Sequence, residues 1–180
     1  MPNWCDNSIT LRHDNPEMIN RAFAAIKESK FLQEFIPVPD ELLNTNSPND
    51  KNGDELVAKY GYPDWYAFCV NEWGTKWDMG STSVEKDGDN TLIFCAETAW
   101  SPPIEAYKKL AKMGFDIEAY YHECGMCFVG KVTTDNGEIF DDYYEYNDET
   151  SETVRDFIGE ELDDYYGISE NMSMCEDEND

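Results

Sequence analysis

The chain has 180 residues, of which 39 are Asp or Glu and 13 Lys or Arg, for a formal net charge of −26. Such a surface repels phosphate backbones and anionic bilayers and attracts basic proteins, over a screening length of about 8 Å at physiological salt. Apolar residues at 41% and aromatic residues at 14% exclude a disordered acidic chain and predict an ordinary packed core.

In chain order, Ser8–Leu11 alternates polar and apolar as a short strand. A helix follows, with Asn15 as cap, Pro16 at its first position and Ile19, Ala22, Phe23 and Ile26 as its buried stripe. The prolines and asparagines after Phe31 predict mostly loop as far as Glu55, then short helices over Glu55–Tyr60 and Trp65–Trp73. Two strands from Ser81 turn at Asp87–Asn90, with Leu92–Ala96 apolar on both faces.

Ser101 is then expected to cap a helix opened by Pro102 and Pro103, with Ile104, Tyr107, Leu110 and Ala111 inward and Gly114 as its stop. Phe115–His122 alternates as a half-buried strand. Met126–Val132 reads as another, turning at Asp135-Asn136-Gly137 into a strand over Glu138–Tyr146. A last helix starts near Ser151, with Val154, Phe157, Ile158 and Leu162 inward.

The order β-α-(insertion)-β-β-α-β, then β-β-α, predicts an α+β, ferredoxin-like antiparallel sheet with a Trp-rich helical insertion and a C-terminal β-β-α extension. Residues 1–168 read as one domain, with the insertion at about 37–80 and the acidic extension at about 138–168; 169–180 reads as a disordered acidic tail. Residues 141–180 hold sixteen carboxylates against Arg155 alone. No run is long and apolar enough to span a bilayer, and the first residues lack a basic, then apolar, leader. The expected setting is therefore cytoplasmic, with six reduced cysteines.

Four strings are more specific than this order: PNWCDN near the N-terminus, NEWGTKWD at Asn71–Asp78, AETAWSPP at Ala96–Pro103 and YYHECGMCFVG at Tyr120–Gly130. In this order and spacing, over residues 1–147, the chain resembles the YubB-type ferredoxin-like family carried by plasmids and bacteriophages. The resemblance implies a ferredoxin-like fold with a Trp-rich insertion and a home in mobile elements. It implies no reaction, so no catalytic residue is carried over and no enzyme is expected.

Two constellations are candidates for binding. Trp73, Lys76, Trp77 and Trp100, with Glu123, can form an aromatic pocket with one cation for a small molecule or nucleotide; the plainer alternative is that the tryptophans pack the insertion onto the sheet. His122, Cys124 and Cys127 lack the second cysteine pair of a structural zinc site, so no metal or other cofactor is expected. Two isolated histidines offer no nucleophile–base pair, and no glycine-rich loop opens a helix.

The other constellation is acidic. Glu152, Asp156, Glu160 and Asp163 recur at helical spacing, Asp164 is adjacent, and Asp141, Asp142 and Glu145 precede them with Tyr143, Tyr144 and Tyr146. A solvated face that aids solubility is the plainer reading. The functional one is a carboxylate array that imitates a nucleic-acid outline and blocks a basic site on a host protein, such as a nucleic-acid-binding defence enzyme. That reading predicts no direct binding of nucleic acid or membrane by this chain.

Overall fold

The computed structural model describes residues 3–177. Its sheet comprises β1 (Trp4–Arg12), β2 (Gly80–Lys86), β3 (Thr91–Ala99), β4 (Asp116–Glu123), β5 (Phe128–Asp135) and β6 (Glu138–Glu145), antiparallel throughout in the order β2-β3-β1-β4-β5-β6. The first four strands stand in the order expected of a ferredoxin-like sheet, and β5 and β6 widen it as a hairpin. Helix α1 (Pro16–Lys27) follows β1, and α6 (Ile104–Lys112) joins β3 to β4. Asn15 caps α1 by accepting the Glu17 amide. Ser101 does not cap α6; its hydroxyl donates to the Gly74 carbonyl and ties the helix entry to the insertion.

Between α1 and β2 the chain forms α2 (Phe31–Phe35), α3 (Asp40–Leu43), α4 (Gly53–Tyr60) and α5 (Trp65–Glu72). The first two occupy a stretch expected to be loop. Helix α2 has no cap of its own. Its Leu32 and Gln33 amides are instead taken by the Asp78 carboxylate at 2.9 and 2.8 Å, from 46 and 45 residues away. The inward stripes of these helices and of α1 and α6 meet one sheet face, where Ile9, Leu11, Phe94, Ile117, Ala119, Tyr121 and Val132 form the main core.

The opposite face carries a second, smaller nucleus of Val129 and Tyr146 with Val154, Ile158, Leu162 and Ile168. The single final helix of the sequence reading is three helices: α7 (Val154–Ile158), α8 (Glu160–Tyr166) and α9 (Ile168–Asp177). Gly159 at φ 88°, ψ 153° and Gly167 at φ 62° break the run, in conformations open to glycine and strained for other residues. The stretch expected to be a disordered tail is helical through Asp177. Ile168 and Met172 pack on the nucleus, and Glu176 accepts from the Ser151 amide and hydroxyl. Positions 178–180 of that expected tail lie outside the described residues.

Candidate functional site

The strand alternation of β6 divides the predicted partner-binding row between two faces. Asp141, Tyr143 and Glu145 point to the side of the main core, and Asp142, Tyr144 and Tyr146 to the side of the C-terminal helices. Tyr146 is buried, its hydroxyl 2.7 Å from His122 Nε2, and is no exposed anchor. Tyr144 is half-buried against Phe157, their centroids 5.9 Å apart. The Asp141 carboxylate accepts the Tyr121 hydroxyl at 2.5 Å.

The regular acidic row is also interrupted. Glu152 precedes α7, and the break at Gly159 ends the common helical face. Asp163 points inward, 2% exposed, and accepts from the Ser169 amide and hydroxyl at 2.7 Å each and from Arg155 at 2.9 Å. Burial pushes its carboxyl up, but the Ser169 bonds and the Arg155 guanidinium outweigh this and hold it below the ordinary value. It is a structural residue: an inward carboxylate becomes a helix-end clamp because a broken helix leaves amides to satisfy.

On the side of α7–α9, Asp142, Glu152, Asp156, Glu160 and Asp164 remain exposed, with Phe140 and Phe157 projecting among them; Asp141, Tyr143 and Glu145 are exposed on the other side of β6. Arg12, Lys131 and Arg155, which β1, β5 and α7 bring to this side, are each paired with carboxylates: Arg12 with Asp116 and Glu118, Lys131 with Glu118 and Glu161, Arg155 with Asp163 and Asp164. The opposite side presents Arg21 and Lys27 on α1 and Lys108, Lys109 and Lys112 on α6. Of these, Arg21 pairs with Glu34, Lys108 with Glu105 and Lys109 with Glu72, so the two sides differ in how many cations they carry rather than in whether the cations are paired. The two exposed phenylalanines are the part of this face that sequence reading missed, since Phe157 falls on the expected inward stripe.

The predicted aromatic pocket separates as well. Trp73 is buried in the main core and donates its indole N–H to the Ile36 carbonyl at 2.9 Å. Glu123, also buried, folds back on the β4–β5 turn and accepts the Gly125 and Met126 amides at 2.8 and 2.7 Å. The five residues therefore do not enclose one cavity. Lys76, Trp77 and Trp100 do meet, at the surface: the Lys76 ammonium lies 4.4 Å from the Trp77 ring centre, 5.6 Å from Trp100 and 5.8 Å from Tyr66. Trp4, at the start of β1, is 45% exposed and its ring centre stands 6.0 Å from that of Trp77.

A cavity of about 370 Å³ lies between the β4–β5 turn, the end of β6 and α9, and brings Cys175 beside His122, Cys124 and Cys127. Burial raises the Cys127 thiol pKa and lowers that of the His122 imidazole. Among the described residues no three His, Cys, Asp or Glu side chains stand in a metal-holding arrangement. No described helix is long and apolar enough to cross a membrane.

Sheet order, crossover helices and two-faced core place the molecule among α+β proteins of the ferredoxin-like class. The chain belongs to the family described as the ferredoxin-like domain in Api92-like protein, whose model matches residues 72–167. The crystal structure of protein api92 from Yersinia pseudotuberculosis shares the fold, with 12% identity and a TM-score of 0.50 over 82% of this chain and 99% of that one. No curated protein matches.

Proposed function

We propose that this chain is a non-enzymatic accessory protein of a plasmid or phage that binds a basic surface on another protein, such as the nucleic-acid site of a host defence enzyme. One observation carries the reading: the sheet face that holds α7–α9 is strongly acidic, its cations are already paired, and Phe140 and Phe157 stand exposed within it. Carboxylates steer a basic partner and exposed aromatic side chains anchor it. The evenly spaced row that suggested a nucleic-acid outline is broken at Gly159, so the support is for an acidic docking face rather than for a copied duplex geometry. The mobile-element setting rests on the four sequence strings. The small-molecule alternative loses support with the burial of Trp73 and Glu123.

The test is binding to a basic nucleic-acid-binding protein in competition with duplex DNA at several salt concentrations. Association should slow steeply with salt, and replacing Asp142, Glu152, Asp156 and Glu160 together by Lys should abolish it while the thermal midpoint stays near wild type. Unchanged binding by that variant sinks the reading.

A further inference from the structure

We infer that the groove between β6 and the β3–α6 corner receives an arginine side chain of the basic partner. The inference rests on the proposed function and adds to it a contact on the other side of the edge strand β6, where Tyr143 and Glu145 face away from α7–α9 and a partner wrapping the sheet edge would reach them. The groove, of about 400 Å³, is lined by Asn3, Trp100, Met126, Phe128, Tyr143 and Glu145. Phe128 is its buried floor, with the Tyr143 ring tilted over it at 5.5 Å. Trp100, Met126 and Tyr143 are exposed walls, between 41% and 54% accessible.

Two features mark this as more than loose apolar surface. Trp100 sits at φ 70°, a left-handed conformation that a bulky side chain seldom adopts, and its amide donates to the Asn3 carbonyl at 2.9 Å. The backbone, not a soft rotamer alone, presents the indole. The second feature is charge. Glu145 is exposed at the groove with no described cation within ion-pairing distance, and the Tyr143 phenol is pushed up by burial and then by the charges of Glu145 and Asp141. A flat, apolar and negatively biased slot suits a planar cation.

Arginine fits better than lysine for a physical reason. A guanidinium is weakly hydrated, stacks on indole and phenol faces, and offers two parallel N–H groups to one carboxylate. An ammonium is a strongly hydrated point charge that apolar walls would strip of water without replacing its hydrogen bonds. An anion would meet Glu145 and the field of a chain at −26.

The probes are two blocked dodecapeptides of alternating glycine with arginine or with lysine, titrated into the full chain at low salt. Affinity and the Trp100 indole N–H resonance are the readouts. The arginine peptide should bind about fivefold more tightly than the lysine peptide and shift that resonance. Glu145→Gln and Tyr143→Ala should each erase the preference. The Lys replacement of Asp142, Glu152, Asp156 and Glu160 should instead weaken both peptides alike and leave the preference intact. Equal affinity of the two peptides for wild type, or a preference that survives Glu145→Gln, overturns the groove assignment while leaving the acidic-face reading standing. Failure of both peptides to bind at low salt overturns both. Should Tyr143→Ala not fold, the conservative Glu145→Gln variant and the indole resonance decide the matter alone.

Discussion

The Tyr121 hydroxyl on β4 passes over β5 and donates to the Asp141 carboxylate on β6 at 2.5 Å. The strand between them allows this because it carries Gly130, the cross-strand partner of Tyr121: a Cβ there would overlap the tyrosine hydroxyl and lie 2.6 Å from the Asp142 carbonyl oxygen. Sequence order thus places a residue with no side chain under a buried ring, and the ring fastens the added hairpin to the ferredoxin-like sheet.

Gly130→Ala should therefore destabilise the fold by about 3 kcal/mol or more, since the β5 and β6 backbone and a buried tyrosine block relaxation. Urea unfolding measures it. A loss below about 1 kcal/mol would show that Tyr121 moves aside at little cost.

Asp141 and Asp163 should give opposite pH responses. Burial is the largest influence on Asp141 and raises its pKa despite the Tyr121 bond. Its ionised form therefore costs stability at neutral pH, and the cost disappears as pH falls below the unfolded value of about 3.9. Asp141→Asn, which keeps an acceptor for Tyr121, should be neutral or mildly stabilising at pH 7. The folded pKa of Asp163 is lowered, so its contribution is complete above the unfolded value and is lost as pH falls through the folded one. Asp163→Asn should cost about 1–3 kcal/mol at pH 7 and progressively less in acid, by denaturant melts at both pH values.

Asp78→Ala should loosen the insertion ahead of the sheet. It removes the acceptor of the Leu32, Gln33 and Met79 amides, each bonded at 2.8–2.9 Å. Amide exchange should accelerate in α2 while β1, β3 and β4 stay protected, with a global loss of about 1–3 kcal/mol. Uniform exchange across chain and variant would argue that α2 does not depend on this carboxylate.

Glu123→Ala should release the β4–β5 turn, where Gly125 and Met126 lose their acceptor and Asn3 its 3.4 Å partner. Met126 and Asn3 both line the groove beside Trp100, so the variant should broaden the Trp100 indole resonance even where the fold persists. An unchanged resonance would show that the groove keeps its shape without the turn.

Much of the fold was legible because its signals are local. Asn15 with Pro16 opens α1 within three residues, Asp135-Asn136-Gly137 turns one hairpin, and the alternation after Phe115 selects which residues of β4 go inward. The candidate site was less legible. In β6 the period of two was available to divide Asp141, Tyr143 and Glu145 from Asp142, Tyr144 and Tyr146, and Gly159 and Gly167 were available as helix breakers. Trp73 and Trp77 belong to one short polar string, and the contacts that separate them, the Ile36 carbonyl for the buried indole and Trp4 for the exposed one, come from residues remote in sequence.

The sequence by itself determined the excess of carboxylates, the succession of strands and the two crossover helices, and hence the ferredoxin-like class, because charge and periodicity are properties of short windows. Only the tertiary structure decided which carboxylates face solvent and which are structural. Asp78 caps a helix 45 residues away, Glu123 closes its own turn and Asp163 clamps the next helix start, each because amides without a partner in their own helix or strand need an acceptor, and only the folded chain shows which carboxylate turns inward to supply it.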